Sequence, residues 1–179
     1  MMPLYAMVNR EVRRAISDLG PRSSYTPRYQ LTVICYSGFG VYEFIDDGAI
    51  AGPQAVTPRF RDKVNQWLLP ANHRFPTGGG DADRPAEAIA LGLSYEPDKL
   101  MLISDRFTGH GKYAVDLEAL LTLIEQHNQQ ALTPTRIDTV QFVTQDPIQR
   151  AGGASALQRI AERTGGRYRF VSQRQLGLR

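Results

Sequence analysis

Two short stretches of this 179-residue chain concentrate side chains capable of chemistry. One is Gly78-Gly79-Gly80-Asp81-Ala82-Asp83. The other is Ser104-Asp105-Arg106, continuing through Gly109-His110-Gly111-Lys112. Asp81, Asp83 and Asp105 offer hard carboxylate oxygens, the donor type that suits magnesium or calcium. Asp83 has a competing role as N-cap of a helix starting near Pro85, and that role is the preferred reading for it. Asp105 has a competing role as an acceptor for loop N–H groups; a ligand position is preferred. His110 near Asp105 forms a conceivable acid–base pair, though a histidine flanked by glycines in a loop is usually idle.

Other chemistries lack their motifs. Gly109 to Lys112 does not have the first glycine of a phosphate-binding loop, nor the hydroxyl residue after the lysine, and the three glycines at 78–80 make no dinucleotide fingerprint. His73, His110 and His127 show no spacing for zinc. A Gly-x-Ser-x-Gly nucleophile elbow is absent. The single cysteine, Cys35, excludes an internal disulfide and reads as a small buried residue in an apolar run.

Composition fits a globular chain, with 42% hydrophobic and 22% charged residues. The net charge of +3, from 21 Lys and Arg against 18 Asp and Glu, is too mild to argue for nucleic acid. No apolar run approaches the ~20 residues that span a bilayer. Residues 1–14 carry Arg10, Arg13 and Arg14 rather than the apolar core of a signal peptide. No compartment follows from this, and cytoplasmic is only the default.

The elements that must position these residues are legible from periodicity. Leu4, Val8, Val12, Ala15, Ile16 and Leu19 form one helical stripe, ended by Gly20-Pro21. Tyr29–Tyr36 and Val41–Ile45 predict a strand hairpin, and Asp46–Pro58 a loop. Phe60, Val64, Trp67 and Leu68 mark a short helix. Pro85 opens a helix to about Ser94. Lys99–Ser104 predicts an apolar strand buried on both faces. Leu117, Leu120, Leu121 and Ile124 mark a helix, Ile137–Val143 a strand, Ala154–Thr164 a helix closed by Gly165-Gly166, and Tyr168–Val171 a strand. After the hairpin, helices and strands alternate, which predicts a mostly parallel sheet covered by helices.

Three stretches resemble the von Willebrand factor A (VWA) domains, particularly those of bacteria. VNREVRRAISDL before QLTVICYS resembles helix one before strand two. The block from Gly78 to Asp105, with Pro97-Asp98, LMLI and Ser104-Asp105, resembles the glycine loop, helix and fourth strand. TVQFVTQDP, LQRIAERTGG and RYRFVS resemble the closing strand, helix and strand. The resemblance implies one domain over 1–179, with a three-layer, doubly wound, Rossmann-like α/β fold. One antiparallel edge strand is expected, and the first central strand is missing.

It further implies a metal-ion-dependent adhesion site at the carboxyl ends of the strands. In the family, magnesium is held there by an Asp-x-Ser-x-Ser loop, a glycine-loop Thr and an Asp after strand four, and it bridges to a partner's carboxylate. Asp105 matches the last ligand. The Thr is replaced by a region whose polar side chains are Asp81 and Asp83, and Thr77 precedes the glycines. The Asp-x-Ser-x-Ser motif does not occur; Met1-Met2-Pro3-Leu4 stands where the motif would end. Arg106 occupies the place of the usual glycine and puts a cation beside Asp105.

The expected function is therefore a non-enzymatic protein-interaction module with an incomplete metal site. Its partner-binding edge is formed by Ser104, Arg106, Gly79 and Gly80. No cofactor is expected for residues 1–179, and magnesium only if an upstream segment supplies the missing motif. The partner is expected to be a protein engaging through an acidic side chain, with self-association as a further outcome. Without strand one, strands 29–36 and 99–104 are expected to close up and pair directly. The alternative is a small α/β ligand-binding or hydrolytic domain using the Asp105–Lys112 and Gly78–Asp83 loops.

Overall fold

The computed structural model describes residues 2–17, 29–37, 40–46, 49–69, 84–104, 107, 115–142 and 153–172, with backbone alone for 2–8. It is a mixed α/β structure with five helices and three separate sheets among these residues. The chain divides into two compact units, 1–78 and 79–179.

In the first unit, helix α1 spans Met2–Ser17 and helix α2 spans Pro58–Trp67. Thr57 starts α2: its hydroxyl oxygen accepts from the Phe60 N–H at 3.1 Å, and Pro58 takes a first-turn position, where its missing N–H costs nothing. The expected face of α2 is buried, with Val64 at 0% and Phe60 at 4% exposure. Ile16, Phe44, Phe60, Val64 and Leu68 form one core, against which Val12, Leu31, Val33, Cys35 and Trp67 pack. Phe44 anchors it edge-on to both Phe60 and Trp67, at centroid distances of 5.7 and 5.4 Å. Asn9 is buried in α1 and donates its amide N–H to the Leu68 carbonyl at the C-terminal end of α2.

The expected strand 29–36 is not continuous. It forms β1 (Gln30–Leu31) and β2 (Ile34–Ser37). β2 pairs antiparallel with β3 (Gly40–Glu43), giving the predicted hairpin in the register Ile34 to Glu43. β1 pairs with β4 (Gln54–Ala55), inside what reads in sequence as a loop. The break falls where Thr32 turns its hydroxyl to the Glu43 carboxylate at 2.7 Å, and the Gly52 N–H reaches the same oxygen at 2.8 Å. One carboxylate thus ties together the hairpin and the β4 approach.

In the second unit, β5 (Lys99–Ser104), β6 (Arg136–Phe142) and β7 (Tyr168–Val171) form a parallel sheet with β6 in the middle. Parallel neighbours need long crossovers. Helices α4 (Leu117–Gln130) and α5 (Ala156–Arg163) supply them, and α3 (Pro85–Leu93) precedes β5. Asp116 and Ser155 cap α4 and α5 by accepting from the N–H groups of Ala119 and Gln158, both at 3.1 Å. Leu120, Leu121 and Ile124 of α4 are buried as the periodicity predicts. Ion pairs from Arg159 to Glu118 and from Arg163 to Glu125 join α5 to α4. Helix α5 ends at Thr164 with Gly165 at φ 66°. The Gly166 N–H then donates to Ala161 O at 2.8 Å and the Gly165 N–H to Glu162 O at 3.3 Å, the paired bonds of a Schellman cap.

Two expectations are corrected here. The single mostly parallel sheet is, among the described residues, one parallel three-stranded sheet and two antiparallel pairs, with 29–36 paired within its own unit. Strand 29–36 finds its partners nearby in sequence, at 40–43 and 54–55. Nor is β5 buried on both faces. Leu102 and Ser104 are buried, but Met101 is 43% exposed, as suits a strand whose neighbour among the described strands is β6 alone.

Candidate functional site at the carboxyl end of the parallel strands

Parallel strands present all their carboxyl ends at one edge, so Ser104, Phe142 and Val171 finish β5, β6 and β7 on the same side. Ligands of open α/β sheets gather at such edges. Ser104 is the one predicted site residue within the described part of the chain, and it is buried, at 7% exposure. Its register partner on β6 is Gln141, 3% exposed, which in turn pairs with Phe170 of β7. Alternation along the strands puts Ser104, Gln141, Phe170 and Tyr168 on one face. The Tyr168 hydroxyl donates to Gln141 Oε1 at 3.1 Å. One pleat earlier, Thr139 is fully buried and donates to the Leu157 carbonyl of α5 at 2.9 Å. Phe107, three residues beyond Ser104, is buried as well.

The result is a row of neutral polar groups on one face of the sheet: a hydroxyl, a carboxamide and a phenol. Such groups orient a ligand or a neighbouring loop by hydrogen bonds. Burying them is tolerable because they are partnered. Sequence reasoning singled out Ser104 but not Gln141 or Tyr168. The signal was there: in Ile137-Asp138-Thr139-Val140-Gln141-Phe142, Thr139 and Gln141 alternate with apolar residues and so mark one polar stripe in a buried strand.

Asp105, Arg106, Asp81, Asp83, Gly79 and Gly80 lie outside the described residues, as do His110 and Lys112. Asp83 also stands one position before the N-cap of α3. Arg84 is that residue, and its side chain makes no capping hydrogen bond. The helix gains its start from Pro85 in the first turn and from the Arg84 to Glu87 ion pair at 3.1 Å.

The cation implied by the family resemblance asks for about six oxygen ligands, carboxylates among them. Ser104 and Gln141 supply only a neutral hydroxyl and a neutral amide. Among the described residues no group of three or more His, Cys, Asp or Glu side chains is placed to hold an ion.

Among the described residues, Lys99, Arg136 and Asp138 bring charge to the other end of the strands. Burial raises the Asp138 carboxyl, but the hydrogen bond from Lys99, the Arg167 N–H at 2.8 Å, and the charges of Lys99 and Arg136 outweigh it and hold the carboxyl below its ordinary range. In the first unit, burial pushes the Cys35 thiol up to about 12, which removes it as a nucleophile. No helix among the described residues is long and apolar enough to cross a membrane. No protein-family model matches the chain, and no curated protein sequence is significantly similar to it.

Proposed function

We propose that this chain is a VWA-like protein-interaction module whose metal-ion-dependent adhesion site is degenerate. The observation that supports the reading is the second unit. Three parallel strands joined by crossover helices run in the order of the family's strands four to six, and Ser104 is buried at the carboxyl end of the first. An antiparallel hairpin, β2–β3, precedes them in the chain, as strands two and three do in the family. The Asp-x-Ser-x-Ser motif does not occur in residues 1–179, so two of the family's ligand loops are altered and one is missing from this sequence. On this reading Asp105 is a remnant, neutralised by Arg106 in place of an ion, and the partner is a protein bound at the edge formed by Ser104, Arg106, Gly79 and Gly80 without a bridging cation. The module performs no catalysis.

Calorimetry with magnesium and calcium tests the metal half of the proposal. No saturable heat is expected in the micromolar range. A micromolar affinity abolished by Asp105→Ala would overturn it. Turnover of generic ester or phosphoester substrates, lost in Asp105→Ala or His110→Ala, would overturn the non-enzymatic half.

A further inference from the structure

Arg10, Arg13 and Arg14 are spread along the sequence as an ordinary helical charge pattern, but the fold gathers them on one wall of a cleft. The cleft holds about 410 Å³ and lies between α1 and α2. Among the described residues its remaining lining is Asn9, Ser17, Asn65, Leu68 and Leu69, none of them a carboxylate. Arginines at i, i+3 and i+4 repel one another on a helix. None of the three takes part in the ion pairs found among the described residues. Arg13 is held by the Asn65 carboxamide, its Nε donating to Oδ1 at 3.2 Å, so one guanidinium is already oriented toward α2. Residues 1–78 carry nine Lys and Arg against six Asp and Glu, so the whole net charge of +3 resides in this unit.

We infer that this cleft is a binding site for a small organic phosphate monoester. The phosphoryl group is taken by Arg10, Arg13 and Arg14, and the organic body rests on Leu68 and Leu69. Guanidinium forks match phosphate oxygens in geometry and stay charged at every physiological pH. A bound dianion relieves the repulsion that the bare helix carries. The cleft volume falls in the range of about 300–1,000 Å³ typical of small-molecule sites and exceeds what a bare phosphate needs. Leu69 is an exposed apolar side chain, 39% accessible, at the lip, which the ligand's body would cover. This site is independent of the proposed interaction edge, and its residues all belong to the first unit.

The full chain is titrated at constant ionic strength with phenyl phosphate, inorganic phosphate and benzyl alcohol. Calorimetry is read alongside the fluorescence of Trp67, the one tryptophan, which precedes Leu68. Phenyl phosphate should bind saturably and more tightly than inorganic phosphate, and benzyl alcohol should not bind. The double variant Arg10→Gln/Arg14→Gln should weaken phenyl phosphate by about tenfold or more, since it removes two charged donors. Both side chains are exposed, so its thermal midpoint should match that of the parent. Arg59→Gln, an exposed arginine of α2 outside the cleft, should change affinity by no more than about twofold, as expected of a screened distant charge. The inference is overturned by absence of saturation up to ~10 mM phenyl phosphate, by an undiminished affinity in the double variant, or by an equal loss from Arg59→Gln.

Discussion

Gly166 lies so close to the backbone of Ile137 that a Cβ built on it would sit 2.0 Å from the Ile137 carbonyl oxygen. That contact seats the end of α5 against the start of β6, and the hydroxyl of Thr164 reinforces it by accepting from the Ile137 N–H at 3.1 Å. The neighbouring Gly165 is glycine for another reason: its φ is 66°, and nothing lies within 4 Å of its would-be Cβ. Gly165→Ala should therefore cost about 1 kcal/mol, the penalty of a left-handed backbone. Gly166→Ala should cost about 3 kcal/mol or more, because backbone must move. Urea unfolding of the two variants measures the difference. Equal destabilisation would show that the close approach is not tight.

The pairing of Asp138 with Lys99 joins β6 to β5, and the Arg167 N–H brings in the approach to β7. Because the folded carboxyl is held below its ordinary value of 3.8, the group contributes stability above that pH and loses it as pH falls through the lower, folded value. Asp138→Asn should destabilise at pH 7, and the gap to the parent should narrow once pH drops below 3.8. Lys99 is half exposed, so the effect should not exceed about 1 kcal/mol. Thermal midpoints of parent and variant from pH 2 to 7 check this. A gap that stays constant with pH would assign the loss to the side-chain hydrogen bonds and not to the charge.

Cys35 packs beside the core formed by Phe44 and Phe60, and its thiol is pushed up to about 12. At pH 8 the native thiol should react with a disulfide reagent roughly a thousandfold more slowly than the unfolded chain does. A single cysteine makes the signal unambiguous. Comparable native and unfolded rates would place Cys35 at the surface.

Much of the second unit was legible from residue order. The stripe Leu117, Leu120, Leu121 and Ile124 has one reading at helical spacing, and Lys99–Ser104 and Tyr168–Val171 are bounded as expected because turn residues flank short apolar runs. The split of 29–36 was not legible. It depends on β4, two residues long within a Gly- and Pro-bearing stretch, and on a carboxylate, Glu43, that is remote in sequence from Gly52. Gln141 was legible as polar beside Thr139, but its partner was not: Tyr168 lies 27 residues away, on the neighbouring strand. The cleft of Arg10, Arg13 and Arg14 needed α2 beside α1, which periodicity alone does not dictate.

On the proposed function, the carboxyl edge of β5, β6 and β7 acts in protein recognition without a divalent cation. Its most direct test is the backbone amide spectrum of the full chain during titration with magnesium, followed at Ser104 and Gln141. These residues are register partners at the carboxyl end of β5 and β6 and are buried, so an ion bound beyond Ser104 would shift both resonances. No saturable shift is expected at either amide up to ~10 mM magnesium, the weak regime of one carboxylate plus waters. Saturable shifts at Ser104 and Gln141 at micromolar magnesium, abolished by Asp105→Ala, would contradict it.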